Sequence, residues 1–258
     1  MILLNKKTLE RTTQLINVMF GKMIYQYATL IMCVVSLSIF SVPSFSQATR
    51  HSAYAKKKNN TWAETLGFPK GKKVLLLHMD DIGMCPEANA AAERYINDKH
   101  IMSAAVMMPC PNAVSFIEWA KSHPVADIGL HLTLTSEWKT YRWPSLTDAS
   151  KVPGLIDPDG KLWHEVPDVV THASPDEVET EIRAQIEKCL SLGYRPTHID
   201  THMGTLYGSP EYASVFFKVA QEYNIPANVI DLSVPEIANK FRKQGYPINE
   251  ELLRYADN

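Results

Sequence analysis

Residues 74–98 read VLLLHMDDIGMCPEANAAAERYIND, and they hold a strand and a helix back to back. The apolar run 74–79 suits a buried strand, while Pro86 can open a helix. Ala88, Ala91, Ala92, Tyr95 and Ile96 then fall on one side of that helix. Between the two elements stand Asp80 and Asp81, followed by Ile82 and Gly83. Outward from this unit the same alternation repeats. Residues 102–108 (MSAAVMM) read as a second strand, 113–122 as a second helix, and 128–134 (IGLHLTL) as a third strand. The helix after residue 174 carries the clearest signals, with Ser174 as N-cap, Pro175 at the first helical position, Glu177 completing a capping box and Gly193 at the stop. Residues 197–202 form a fourth strand. Ser209-Pro210 opens a helix to about residue 223, and 226–230 (PANVI) is expected as a fifth strand.

Strands and helices in strict alternation imply a parallel sheet, because parallel neighbours need a crossover and a helix commonly supplies it. The fold class is α/β. Such sheets and barrels place their ligands at the C-terminal ends of the strands. The first four strands carry polar or ionisable residues toward those ends.

The composition is that of a globular protein: 258 residues, 45% hydrophobic and 21% charged. Lys+Arg 26 against Asp+Glu 28 gives a formal charge of −2, so the chain has no electrostatic footprint for nucleic acid. Cys33, Cys85, Cys110 and Cys189 form no CxxC pair, which argues against a disulfide framework or a thiolate zinc site. No charge occurs between Lys22 and Arg50, and residues 27–42 are strongly apolar, with small residues before Ser46. This reads as a signal peptide over 1–46, short for a spanning helix. Its basic end is long, and Met19 or Met23 would give a more ordinary start. The expectation is an exported protein, periplasmic or extracellular, with no stable membrane insertion after cleavage. A polar, basic linker over 47–72 precedes the domain that begins at 73.

Three constellations sit at strand ends. Asp80-Asp81 closes an apolar strand, where adjacent carboxylates are costly unless they bind a cation or do acid/base work; a helix cap is the alternative. His131, Thr133 and Thr135 share one face of the third strand by period-2 alternation. His198, Asp200 and His202 share one face of the fourth. Asp81, His131 and His202 together offer one oxygen and two nitrogen donors, a set that can hold one divalent metal with positions open for water. Asp80 is then placed to accept a proton. Such a donor set suits a metal hydrolase. A metal-dependent phosphoesterase is a second reading, although the strand ends lack an Arg or Lys clamp.

The ordered motifs HMDDIGMCPEANAA, SAAVMMPCP, GLHLTLT and PTHIDTH resemble the YdjC-like carbohydrate deacetylase family over residues 73–234. The resemblance implies a distorted (β/α) barrel, one divalent metal such as magnesium or zinc, and removal of acetyl groups from N-acetylated amino sugars or oligosaccharides. By position it implies Asp80 as catalytic base, Asp81, His131 and His202 as metal ligands, and His198 and Asp200 as groups orienting them. Two departures stand out. Met203-Gly204-Thr205 follows His202 where many members carry further histidines. The family's later histidine, a general acid, has no counterpart before Asn258. Five strands also fall short of a closed barrel, so the expectation is a domain over 73–258 whose barrel is incomplete at the C-terminus, with an inactive saccharide-binding relative as one alternative. An open five-stranded, doubly wound sheet is another.

Residues 135–171 lack the strand–helix rhythm and hold Trp138, Tyr141, Trp143 and Trp163. Aromatic faces can stack on sugars, and Trp138 and Trp143 are the candidate substrate contacts; a hydrophobic cluster pinning the loop is the alternative.

Overall fold

The computed structural model describes residues 61–230 and 234–247. The expected signal segment, most of the linker and the final helical pattern (248–258) lie outside the described residues. The chain divides into two units, 1–74 and 75–258. In the first, within the stretch read as linker, a short helix α1 (Trp62–Thr65) starts on reciprocal bonds: the Thr61 N–H donates to Glu64 and the Glu64 N–H to Thr61 Oγ1, both at 3.3 Å.

The second unit is α/β. Its four parallel strands, β1 (His78–Ile82), β2 (Ser103–Val106), β3 (Asp127–Leu132) and β4 (Ile199–Thr201), lie side by side in chain order, as expected for part of a distorted barrel. Helices α2 (Pro86–Asn97) and α3 (Ala113–Ala120) make the first two crossovers. On β3, Ile128, Leu130 and Leu132 are buried on the apolar side. The alternation of the strand turns Asp127, Gly129 and His131 to the opposite, polar face. Between β3 and β4 come α4 (Val166–His172) and α5 (Pro175–Ser191), and after β4 come α6 (Pro210–Tyr223) and α7 (Pro235–Lys243). The α5 capping box forms as read: Ser174 Oγ accepts from the Glu177 N–H and the Glu177 carboxylate accepts from the Ser174 N–H, worth about 1 kcal/mol. Asn224 closes α6 in the left-handed region with φ 51°.

Three expectations shift. The first strand begins at His78 rather than Val74, and Leu75, Leu76 and Leu77 are 82%, 73% and 52% exposed. Pairing starts where β2 offers a partner, His78 opposite Ser103, and hydrophobicity alone does not supply one. The expected fifth strand contributes one parallel bridge, Ala227 to Ile199. The stretch 135–171 is more ordered than its lack of rhythm implied, with a 3₁₀ turn (Pro153–Leu155), an antiparallel bridge between Ile156 and Leu162, and α4.

Two buried side chains of α5 hold the chain that follows β3. Glu181 accepts from the backbone N–H groups of Leu146 and Thr147 at 3.0 and 2.9 Å. Gln185 accepts from the Thr133 N–H at 2.9 Å and donates to the Thr133 carbonyl at 2.7 Å. Buried polar groups paired in this way fix the path of the chain beyond β3.

Candidate metal centre

Asp80 and Asp81 occupy an irregularity in β1. Met79 pairs with Ala104, but the next partners are Ile82 and Val106, so the β1 side carries an extra residue. A bulge of this kind re-aims side chains at a strand end. Asp81 has φ 62°, in the left-handed region that carboxylates and amides tolerate better than bulkier residues. Gly83 follows with φ 92°, and a Cβ there would lie 2.8 Å from the Ala113 backbone. The helix cap is supplied elsewhere, since Cys85 Sγ accepts from the Ala88 N–H and Asn89 Oδ1 accepts from the Gly83 N–H. Neither carboxylate is spent on capping.

The turn brings Asp81 to the imidazoles of two other strand ends. Its Oδ1 lies 3.4 Å from His131 Nε2 and 3.2 Å from His202 Nδ1. That oxygen is buried and has no hydrogen-bond partner. The two rings stand edge to face with centroids 5.0 Å apart. An orphaned buried oxygen facing two ring nitrogens fits a cation. The three residues form one of the metal-capable groups among the described residues.

The far nitrogens are braced. His131 Nδ1 is 2.6 Å from Asp200 Oδ1, its cross-strand partner in the β3–β4 register, and His202 Nε2 is 3.0 Å from Glu137 Oε2. Carboxylates in these positions fix ring orientation and tautomer and raise ligand basicity. For His202, burial favours the neutral ring, but the carboxylates of Asp81 and Glu137 beside it outweigh that and raise the pKa to about 9. The His202 ring beside it holds Asp81 below the usual carboxylate range. Burial would raise Asp200, yet the hydrogen bond with His131 and the His78 ring beside it keep it well below that range.

Asp80 is 57% exposed on its side chain and borders a cavity of about 580 Å³. His78, His131, Asp200, Tyr207, Phe241 and Tyr246 also line it. His198 lies deeper, its Nδ1 3.3 Å from Asp127 Oδ1 and its ring 5.1 Å from that of His78. It braces neither ligand imidazole directly. Gly129 makes room for it, because a Cβ at that position would come within 2.6 Å of His198 Cε1.

The tryptophans part company. Trp143 is 1% exposed, its indole N–H donates to the Thr135 carbonyl, and its ring edge faces His202 at 6.4 Å. A ring so enclosed cannot stack on a sugar, so its reading as a substrate contact is replaced by that of a wall behind the ligand. Trp138 is 49% exposed and does not line the cavity. Sequence reasoning missed Glu137, His78 and the aromatic walls Tyr207, Phe241 and Tyr246. A single loop carboxylate next to Trp138 gives no periodic signal, and His78 was absorbed into an apolar run.

Residues 74–256 match the family model described as YdjC-like protein. A carbohydrate deacetylase of Thermus thermophilus is 32% identical over 64% of this chain and 58% of its own length. One of Brevibacillus brevis is 28% identical over 59% and 57%, and a chitooligosaccharide deacetylase of Yersinia enterocolitica is 26% identical over 61% and 60%. The chain thus spans about three-fifths of the curated relatives it matches. A crystal structure from Enterococcus faecalis V583, provisionally described as a cellobiose-phosphate cleavage protein, shares the fold with a TM-score of 0.56 at 24% identity, covering 65% of this chain and 64% of its own.

Proposed function

The chain belongs to the YdjC-like family, and from that premise we propose that it is a metal-dependent hydrolase removing acetyl groups from N-acetylated amino sugars or oligosaccharides. The observation that carries the reading is the buried, partnerless Asp81 Oδ1 facing two imidazole nitrogens whose rings are each braced by a carboxylate. The names of the relatives point to the same substrate class.

Asp81, His131 and His202 would hold the ion. When bound, a divalent metal acidifies a water and polarises a carbonyl. One carboxylate and two imidazoles suit a borderline ion such as zinc better than magnesium, which prefers oxygen ligands. Asp200 and Glu137 keep the ligand rings turned to the centre. Asp80, outside the ligand set and open to the cavity, accepts the proton of the attacking water. The cavity walls receive the sugar, and the products are acetate and a free amino sugar.

The test pairs metal analysis with acetate release from N-acetylated chitooligosaccharides. One equivalent of metal in the unaltered protein, and loss of both metal and acetate release in His131→Ala, are expected. Acetate release that survives in His131→Ala refutes the assignment. Export belongs to the same proposal: N-terminal sequencing of the mature protein from its source cells is expected to find a start after Ser46. A mature chain still carrying residues 27–42 refutes export by cleavage.

A further inference from the structure

The polar face of the sheet holds a second histidine-centred assembly behind the metal ligands. Ser103 Oγ donates to Asp127 Oδ2 at 2.8 Å, and its other neighbour is His78 Nδ1 at 2.7 Å. A hydroxyl has one proton, and Asp127 takes it. Burial works against ionisation of Asp127, but bonds from Thr197, Ser103 and His198 hold it below the usual carboxylate range, so it accepts. The serine oxygen can then only accept from His78, and Nδ1 carries a proton. The opposite nitrogen, Nε2, is buried without a hydrogen-bond partner and lies 3.4 Å from Asp80 Oδ1 and 3.3 Å from Asp200 Oδ2. A bare lone pair there would face two acceptors, whereas an N–H is attracted to both.

From this geometry we propose that His78 is a positioning residue, anchored through Ser103 to Asp127, whose Nε2–H is shared between the proton-accepting carboxylate Asp80 and the His131 brace Asp200. The neighbouring Asp200 carboxylate raises its pKa, in keeping with a ring protonated on both sides. The inference rests on Asp80 as proton acceptor in the proposed deacetylation. Asp80 lies exposed at the β1 irregularity with its Oδ1 turned to His78; the His78 N–H engages that oxygen and leaves the other free for the water. The same N–H offsets repulsion between Asp80 and Asp200, which would otherwise turn Asp80 outward. Contacts this long can tighten into hydrogen bonds when the site fills.

Two measurements test the role. In metal-loaded protein with N-acetylated chitobiose, His78→Phe keeps the ring and loses the donor; kcat is expected to fall about a hundredfold, as for a misplaced reacting group, with KM and metal content unchanged. His78→Gln returns a donor near the Nε2 position and is expected to recover at least tenfold of that loss. Equal activities of His78→Phe and His78→Gln, or a loss that appears in KM or metal content, overturn the proposal. Independently of activity, ¹⁵N NMR of histidine side chains in the unaltered protein, assigned by the signals missing from His78→Gln, is expected to show both His78 nitrogens protonated at neutral pH. An unprotonated Nε2 overturns it even if His78→Phe fails to fold. If the unaltered protein releases no acetate, the deacetylase reading fails, while the NMR result still decides where His78 donates.

Discussion

His202 is gripped by carboxylates on two sides, Asp81 at Nδ1 and Glu137 at Nε2, and this sets how the metal-free protein responds to pH. Its folded pKa of about 9 lies above the ordinary value of 6.5. A raised value favours the folded state fully below the unfolded pKa and loses that contribution as pH rises through the folded one. The urea midpoint of metal-free protein is therefore expected to fall between about pH 6.5 and 9, and His202→Gln should flatten that fall. A midpoint independent of pH over this window contradicts the double grip. A metal takes the place of the His202 proton, so apparent metal affinity should climb over the same range. At this scale the sequence singled out the three side chains that the fold gathers, because each ends or follows a strand. It concealed Glu137, which reaches His202 only through the fold of a loop, and it misjudged Trp143, whose burial depends on how that loop packs.

Elements were legible where their signals are local. The capping box of α5 sits within four residues, and the structure forms it as read. The start of β1 was not legible, because an apolar run says what a segment would bury and nothing about which neighbour will bond to it. Gln185 was equally hidden, since its partner Thr133 lies just past β3, far from α5 in the chain. Its role is testable: Gln185→Leu removes the partner of a buried N–H and a buried C=O, and each orphan costs about 1–3 kcal/mol. A drop of about 2–6 kcal/mol in urea unfolding, with an unchanged slope, is the expected result. A change within 0.5 kcal/mol, the ordinary range of surface substitutions, would mean that α5 does not hold the chain beyond β3.

For the molecule as a whole, the order β1-β2-β3-β4 leaves the outer edge of β1 unpaired among the described residues, with Leu75, Leu76 and Leu77 exposed just before it. An open strand edge beside apolar side chains is a template for association. This chain, prepared alone, is expected to self-associate as concentration rises, and Leu76→Lys should shift it toward monomer in light scattering after size exclusion. A strictly monomeric unaltered chain at high concentration would show the edge to be covered. The α/β class and the position of the site at the strand ends were legible in advance, because alternation and strand polarity are written along the whole chain. Which strand stands at the edge was not, because that depends on pairing. The hollow at Gly129 carries a consequence of another kind. The room taken by the His198 ring is the side chain that residue 129 lacks, so neither position is free to drift alone. A lineage that places any larger residue at 129 must first shrink 198, and the adjacency of β3 and β4 is then inherited as a correlated pair of letters far apart in the text.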